Sequence, residues 1–264
     1  MNFLELFNID FQYETNSLPT SFLISDLNLV VNAGEFITVM GPNGSGKSTL
    51  LKIVANLLEP NNGKILLEGK NYHSYKRKDF AKIVSFVPQI NKIFFQYSIY
   101  EIVMMGRTPY QNILGIGNDA DKEKIANVLQ LLEIDHLKNK GINEVSGGEA
   151  QSALIARALI QEPKIILLDE PNAHLDIKHQ VAIFNILQKL NDEFNLTIML
   201  ISHELNLASY FSKRVLLMNK GKIEFDSSPK NVLTEENIKS IFKINSTVFN
   251  DEKDEIFIKI IPKL

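Results

Sequence analysis

A stretch of nine residues, GPNGSGKST, contains side chains whose types and spacing suit phosphate chemistry. It begins at Gly41 and fits the pattern G-x-x-x-x-G-K-[ST]. Its glycines lack a Cβ, so the backbone can curl and direct successive N–H groups towards a multiply charged anion. Lys47 supplies a compact positive charge for β- and γ-phosphates, and Ser48 supplies a hydroxyl for Mg²⁺. The stretch therefore predicts a nucleoside triphosphate site formed by Gly41, Asn43, Gly44, Ser45, Gly46, Lys47, Ser48 and Thr49.

The segments on either side of this stretch have the character that such a loop requires. The short apolar run 35–40 precedes it and is typical of a buried strand, and residues 50–55 show helical spacing. A helix that starts directly after the loop adds the positive end of its dipole to the anion site. This order of strand, loop and helix favours a phosphate-binding loop over a chance glycine-rich turn.

Two adjacent carboxylates, Asp169 and Glu170, follow a second apolar run at residues 164–168. The run is continuously apolar, as expected for a strand buried on both faces. Open α/β sheets bind ligands at the carboxyl ends of their strands. Asp169 can hold Mg²⁺, and Glu170 can orient an attacking water or accept its proton. The pair predicts nucleotide hydrolysis, and the alternative is an exposed acidic turn.

Gln89 and His203 also follow predicted strands, at residues 83–87 and 197–201. The Gln89 amide can bond to Mg²⁺-bound water, and the His203 imidazole can bond to a γ-phosphate oxygen. Each residue is a weak signal alone and gains weight only from the motifs around it.

Ser146, Gly147 and Gly148 open a predicted helix that continues to Ile160. The first N–H groups of a helix have no partner within the helix. One interpretation is that this helix start caps a nucleotide held by a second copy of the protein. The other is an ordinary N-cap with flexible glycines, and these residues leave both open.

Composition narrows the classes of function. The chain has 264 residues, of which 45% are hydrophobic and 22% charged, which suits a globular α/β domain with a subdomain. A net charge of −3 shows no basic excess, so we expect no nucleic-acid partner. Cysteine is absent, which excludes disulfides and thiolate metal sites. We find no signal peptide and no apolar run of roughly 18–20 residues, so we expect any membrane-spanning part to belong to another chain.

The remaining pattern predicts an α/β fold in two parts. Strands are expected at residues 3–13, 23–31, 64–68 and 255–261, a hairpin at 214–225 and a helix at 235–243. We predict an ATP-binding core formed by residues 1–89 and 159–264, with an antiparallel β part near its N-terminus, and an inserted helical subdomain at 90–158. Two long helices are expected to bury one apolar face each. These faces are Ile125, Val128, Leu129 and Leu132 in one helix, and Ile177, Val181, Phe184, Leu187 and Phe194 in the other.

Taken in order, the motifs resemble the nucleotide-binding subunit of an ABC transporter. They are GPNGSGKST, the Gln89 turn, VSGGE at 145–149, IILLDEP at 165–171, HLD at 174–176 and His203. The ordered set is highly specific and covers nearly the whole chain. The resemblance implies a P-loop NTPase fold of the ABC type, with a mixed-sheet core, that binds ATP and Mg²⁺.

The resemblance also implies a role for each motif residue. The phosphate loop is Walker A, Asp169 ends Walker B, VSGGE is the signature and Asp176 belongs to the D-loop. Tyr13 matches the aromatic residue that stacks on adenine, although Phe11 lies near it and stacking needs only a ring face. The implied catalytic residues are Glu170, His203, Gln89 and Lys47, the metal contacts are Ser48, Gln89 and Asp169, and the nucleotide contacts outside the loop are Tyr13, Ser146, Gly147, Gly148, Glu149 and Asp176.

The same resemblance implies partners and a location. Two copies would pair head to tail, each presenting its signature to the ATP held by the other. The pair would bind two integral membrane permease subunits at the cytoplasmic face of the cell membrane, and an extracytoplasmic binding protein would deliver the substrate.

MGRTPY at residues 105–110 and the HLD motif resemble importers of metal chelates: ferric siderophores, haem and cobalamin, with molybdate or tungstate in some relatives. Aromatic and Met residues from Phe94 to Tyr110 either form a groove for the permease or, as we expect for most of them, the core of the helical subdomain. Met104 and Met105 are expected to face outward. Val145, Glu149, Ala150, Ser152 and Asn172-Ala173 depart from the commonest family residues.

Three other classes fit less well. A soluble ABC-type ATPase acting on ribosomes or DNA usually has two nucleotide domains or a long coiled coil, and this sequence has one phosphate loop and no long heptad run. A GTP switch needs an N-K-x-D motif, and neither Asn139-Lys140 nor Asn219-Lys220 is followed by the required Asp. An exporter subunit is disfavoured only by the resemblance of residues 106–110. The sequence therefore predicts an ATPase that drives import of a metal chelate through a separate permease.

Overall fold

The computed structural model describes residues 2–13, 23–89, 97–110, 119–173, 175–252 and 255–262. Two compact units are present. One comprises Met1–Ser74 and Thr197–Leu264, and the other comprises Tyr75–Leu196. The division into a core and a helical subdomain at 90–158 stays a prediction. Three predicted features, Phe94, Phe95 and His174, lie outside the described residues.

The discontinuous unit contains two sheets. Its strands are β1 (Asn2–Phe11), β2 (Ile24–Asn32), β3 (Phe36–Met40), β4 (Asn62–Leu67), β5 (Lys70–Asn71), β8 (Thr197–Ile201), β9 (Arg214–Asn219), β10 (Lys222–Ser227), β11 (Asn245–Asn250) and β12 (Ile256–Ile261). Its helices are α1 (Lys47–Val54), α7 (Leu205–Phe211), α8 (Pro229–Val232) and α9 (Glu235–Phe242). One sheet is antiparallel, in the order β2-β1-β4-β5, as the N-terminal pattern predicts.

The second sheet of this unit positions the phosphate loop. Strand β3 pairs in parallel with β8 on one side and β9 on the other, and β9 pairs antiparallel with β10. Every residue of β3 is buried, which is the expected burial of a parallel strand with neighbours on both sides. The loop therefore leaves a rigid strand end and enters α1 directly.

The C-terminal segment forms a hairpin of its own. Strands β11 and β12 pair antiparallel over their whole length. Ile258 is buried against the apolar cluster that contains Ile238 and Ile241 of α9, so the predicted final strand is held by packing as well as by pairing.

The contiguous unit is mainly helical. Its elements are α2 (Arg77–Ala81), β6 (Val84–Val87), α3 (Ile99–Met105), α4 (Asp119–Leu131), α5 (Gly147–Leu159), β7 (Ile165–Leu168) and α6 (Ile177–Phe194). Strands β6 and β7 are parallel neighbours, so their carboxyl ends lie at one edge. The predicted face of α4 is largely confirmed, since Ile125, Leu129 and Leu132 are buried.

The predicted face of α6 is partly wrong. Phe184 and Leu187 are buried, but Ile177 is 79% exposed and Phe194 is 62% exposed. Ile177 and Phe194 are the first and last residues of the helix, and the elements that pack on α6 cover only its middle. The buried stripe is instead completed by Ile183, Leu190 and the polar Asn191, whose side-chain amide donates to the Leu196 carbonyl at 2.8 Å.

Within the described ranges, with their gaps at 14–22, 90–96 and 111–118, no helix is both long and apolar enough to cross a membrane.

Candidate functional site

The phosphate loop adopts a backbone that glycine permits. Gly41, Gly44 and Gly46 have φ values of 146°, 77° and 101°. A Cβ on Gly41 would lie 2.1 Å from the Met218 carbonyl oxygen, a backbone atom of β9 that cannot easily move. The glycine at 41 is thus required both by its conformation and by its close neighbour.

Lys47 and Ser45 make the interior of the loop polar. Lys47 is buried, and its Nζ donates to the carbonyl oxygens of Gly41 at 2.9 Å and Pro42 at 3.0 Å. The Ser45 Oγ is buried and has no hydrogen-bond partner among the described residues, an arrangement that is costly unless a ligand supplies the bond. A buried cation beside an unsatisfied hydroxyl fits a phosphate group well.

The turn of the β9–β10 hairpin supports the phosphate loop. Sequence analysis did not predict this contact. Lys220 and Gly221 have φ values of 47° and 79°, as in a type I′ turn. The Gly221 N–H donates to the Ser45 carbonyl at 3.0 Å. The only sequence signal was the Lys-Gly pair at the predicted hairpin turn, which gives no indication of a contact with residue 45.

Tyr13 lies beside the helix that follows the loop. Its hydroxyl is 3.3 Å from the Thr49 Oγ1, and its ring packs edge-to-face on Phe11 with centroids 4.8 Å apart. Phe11 is buried, whereas Tyr13 is 44% exposed. Of the two aromatic rings, Tyr13 is the one that is accessible to a ligand.

In the helical unit, Gln89 and Glu170 meet at the carboxyl ends of β6 and β7. The Gln89 Nε2 donates to the Glu170 Oε2 at 2.9 Å. Asp169 is buried, and its N–H donates to the Val87 carbonyl at 2.9 Å, which continues the strand pairing by one residue. Glu170 has a φ of 50°, a left-handed conformation that turns the chain sharply after the strand. The two predicted carboxylates therefore have different environments.

The predicted signature forms a complete capping box at the start of α5. The Ser146 Oγ accepts from the Glu149 N–H at 3.3 Å, and the Glu149 Oε2 accepts from the Ser146 N–H at 2.7 Å. This bond and the Ser146 hydroxyl lower the pKa of the Glu149 carboxyl. The ordinary N-cap interpretation is thus realised in the geometry.

His179, which sequence analysis did not single out, connects Asp176 to the signature. Asp176 is the N-cap of α6, and its Oδ1 accepts from the His179 N–H at 2.9 Å and lies 2.8 Å from the His179 Nδ1. A Cβ on Gly148 would lie 2.3 Å from the His179 Cδ2. No sequence pattern around His179 indicated that its ring would contact Gly148.

His203 lies two residues after the end of β8, near the predicted strand end, and its side chain is exposed. Among the described residues no group of three or more His, Cys, Asp or Glu side chains could hold a metal ion.

The MGRTPY segment ties α3 to the end of α5. A Cβ on Gly106 would lie 2.1 Å from the Arg157 carbonyl oxygen. The buried Arg107 pairs with Asp121 through its Nε at 2.7 Å, and its Nη1 donates to the Ile160 carbonyl at 2.8 Å. The Tyr110 hydroxyl donates to the Gln161 carbonyl at 2.8 Å, and the Arg107 guanidinium lies 3.8 Å from the Tyr110 ring centroid.

The aromatic and Met residues near this segment are less buried than expected. Tyr97 is 40% exposed and Met105 is 41% exposed, and none of Tyr100, Met104 and Tyr110 is fully buried. The core of α3 is aliphatic instead, formed by Ile99, Ile102 and Val103. The expectation that most of this cluster forms the subdomain core is wrong for its described members, and the outward position of Met105 is confirmed.

Comparisons with known proteins agree with these motifs. The family model described as ABC transporter matches residues 24–173. The petrobactin import ATP-binding protein FpuC of Bacillus anthracis is 36% identical over 236 residues, which cover 89% of this chain and 87% of that protein.

Two solved structures extend the comparison to the fold. A putative metal-chelate type ABC transporter in an inward-facing conformation matches with a TM-score of 0.84 and 30% identity, covering 100% of this chain and 98% of that chain. The dimeric ATP-binding cassette MJ0796, bound to ADP and Pi in a post-hydrolysis state, matches with a TM-score of 0.75 and 29% identity, covering 86% of this chain and 98% of that chain. On this evidence the chain belongs to the ABC transporter family, as one of its nucleotide-binding ATPases.

Proposed function

We propose that this ATPase drives the import of a metal chelate, of the ferric siderophore, haem or cobalamin type, through a separate membrane permease. The observation that carries the proposal is the full-length structural match to a metal-chelate type ABC transporter. The 36% sequence identity with a petrobactin import ATP-binding protein supports the same substrate class. Two copies would work head to tail on the cytoplasmic face of the membrane, with an extracytoplasmic protein delivering the chelate.

The phosphate loop is the proposed nucleotide anchor. Lys47 holds the β- and γ-phosphates, the N–H groups of residues 43–49 surround them, and the Ser45 hydroxyl gains the partner that it lacks among the described residues. The exposed ring of Tyr13 stacks on the adenine ring. Ser48, Gln89 and Asp169 are the proposed contacts of Mg²⁺, which neutralises charge on the transferred phosphoryl group.

Glu170 is the proposed general base. It orients the attacking water and accepts its proton, and the 2.9 Å bond from Gln89 fixes which carboxylate oxygen is left for that water. His203 stabilises charge on the phosphoryl oxygens, and Ser146 with its two glycines performs this task on the nucleotide of the other copy. Glu149 holds Ser146 in place, and Asp176 acts beside them.

The experiment is co-purification of the Glu170→Gln chain with any polytopic membrane protein whose gene neighbours its own, with and without ATP and Mg²⁺. Glutamine keeps an oxygen that can accept from Gln89 but loses the basicity, so nucleotide binding is expected to persist while hydrolysis falls by a factor on the order of 10² to 10⁴. Glu193→Gln, on the exposed surface of α6, is the matched control and should hydrolyse ATP at the parental rate.

Two results decide the proposal. Recovery of two copies of the chain with the permease, closed only with nucleotide, and ATP-dependent uptake of a ferric siderophore by vesicles containing the Glu193→Gln complex would support it. Recovery with ribosomes in place of a membrane protein, or uptake of molybdate but of no metal chelate, would refute it.

A further inference from the structure

The signature glycine Gly148 and the D-loop Asp176 are joined by one side chain, that of His179. Gly148 is buried, and the space that its side chain would occupy is filled by the His179 ring, with Cδ2 at 2.3 Å, Cγ at 2.7 Å and Cβ at 3.1 Å from a Cβ built there. Two of these distances are below 3.0 Å, and a Cβ is fixed by the backbone, so no side-chain rotation at residue 148 would relieve the overlap. The ring itself thus explains why this position is glycine.

The opposite edge of the ring is fixed by Asp176. The His179 Nδ1 lies 2.8 Å from the Asp176 Oδ1, and the same oxygen accepts from the His179 N–H. These two bonds lower the pKa of the Asp176 carboxyl, so the carboxylate is ionised and the Nδ1 must carry the proton. An ionised acceptor and a rigid ring leave His179 one orientation, with its carbon edge on Gly148.

The neighbouring glycine has a different environment. A Cβ on Gly147 would approach only the Leu175 Cδ2, at 3.3 Å, and would meet no atom of His179 within 4 Å. Leu175 is in turn held by the Gln180 Nε2, which donates to its carbonyl oxygen at 3.0 Å. Residues 147 and 148 therefore rest on separate side chains, Leu175 just before α6 and His179 in its first turn, and the two positions can be tested against each other.

We propose that His179 is a positioning residue that keeps the Asp176 carboxylate and the signature backbone in one fixed arrangement, so that both meet the second copy of the chain together. The inference rests on the proposed head-to-tail dimer. In this proposal His179 contacts neither the nucleotide nor the water that attacks it. It acts through Gly148 on one side and through Asp176 on the other.

A positioning role predicts that a change at His179 alters kcat but not ATP binding. His179→Ala should leave the ATP dissociation constant unchanged, because the phosphate loop is intact, and should lower kcat by about tenfold, the effect of one contact pair of ordinary coupling energy. His179→Asn retains an N–H near the position of Nδ1 and should recover most of kcat. Equal kcat for the alanine variant and the parent, or no recovery with asparagine, would contradict the role of the Asp176 bond.

The decisive experiment is a suppression test in full-length protein. Gly148→Ala should lower the melting temperature and abolish ATP-dependent dimerisation in the Glu170→Gln background. Adding His179→Ala removes the ring that the new methyl group meets, so the paired variant should dimerise at least about tenfold more tightly than Gly148→Ala alone. The matched control is Gly147→Ala, which His179→Ala should not rescue.

Each result has one meaning. Rescue of Gly148→Ala without rescue of Gly147→Ala supports the inference, and equal behaviour of Gly148→Ala with and without His179→Ala overturns it. Failure of the unmodified Glu170→Gln chain to dimerise with ATP would refute the proposed dimer. In that case the melting temperatures of the same variants still decide whether His179 occupies the space beside Gly148.

Discussion

Helices α1 and α5 both have a glycine at or beside their first residue, and their first turns are completed in different ways. At α1 the N-cap is Gly46, which has φ 101° and no side chain, and the first turn contains no acidic residue. At α5 the N-cap is Ser146, which forms a reciprocal capping box with Glu149. One helix start presents a cation and backbone donors, whereas the other is closed by its own carboxylate.

The difference predicts how each start treats an anion. The helix dipole of α1 is reinforced by Lys47, so this site can attract a phosphate without help. The dipole of α5 is partly neutralised by the ionised Glu149, so this start is a weak anion site alone. It can contribute hydrogen bonds only where another group already holds the charge, which fits a signature that meets a nucleotide bound elsewhere.

The largest expected effect comes from removing the charge at the open start. Lys47→Ala should raise the ATP dissociation constant by on the order of 10²-fold, because a hydrogen bond to a charged group contributes about 1.5–3 kcal/mol and the charge also steers the anion. Titration with a fluorescent ATP analogue measures it. Lys52→Ala, in the last turn of the same helix, is the matched control and should bind normally. Parental affinity in Lys47→Ala would remove the distinction between the two helix starts.

Two glycines of the open loop should differ in their tolerance of a methyl group. The methyl group of Gly44→Ala would meet no atom of the described residues within 4 Å, so the substitution should cost only the left-handed backbone penalty of about 1–2 kcal/mol. Gly41→Ala pays a similar penalty and also drives a Cβ into the Met218 carbonyl, so its loss of unfolding free energy should be clearly larger. Urea denaturation of both variants measures the order, and a smaller loss for Gly41→Ala would be inconsistent with the role of Met218.

The closed start should show a moderate effect of another kind. Ser146→Ala removes the N-cap acceptor and should cost about 1 kcal/mol of stability. ATP binding by the isolated chain should be unchanged, because the open start is untouched, while turnover should fall. Thermal denaturation, nucleotide titration and phosphate release separate the three quantities. A loss of binding equal to that of Lys47→Ala would show that the two starts do not differ.

These two helix starts also show how far sequence reasoning reaches. The phosphate loop was predictable because its requirements are local: glycines, a lysine and a following helix lie within nine consecutive residues. An N-cap at Ser146 was also predicted, as one of two interpretations, although its reciprocal bonding with Glu149 was not. The strand ends that bear Gln89 and Glu170 followed from apolar runs, and their mutual hydrogen bond follows from the parallel pairing of β6 and β7.

The supports of both starts were not predictable, because they depend on which distant elements pack together. Gly221 reaches Ser45 through the pairing of β9 with β3, and His179 reaches Gly148 through the approach of α6 to α5. The exposure of Ile177 and Phe194 was missed for the same reason. Periodicity predicts which face of a helix is apolar, but not how far along the helix other elements pack against that face.

The smallest expected effect is a pH dependence confined to the closed start. The Ser146 N–H and hydroxyl lower the pKa of the Glu149 carboxyl in the folded protein below its ordinary value of 4.5. A lowered folded-state pKa means that the unfolded chain binds the proton first, so the stabilisation is present above about pH 4.5 and is lost as the pH falls through the folded-state pKa. Glu149→Gln keeps an oxygen for the Ser146 N–H but does not titrate. Its unfolding free energy, measured by urea denaturation across this acid range, should therefore fall less steeply with decreasing pH than that of the parent. Because α1 has no acidic residue in its first turn, Lys47→Ala should leave the acid slope unchanged, and a slope changed by Lys47→Ala but not by Glu149→Gln would reverse the assignment of the two helix starts.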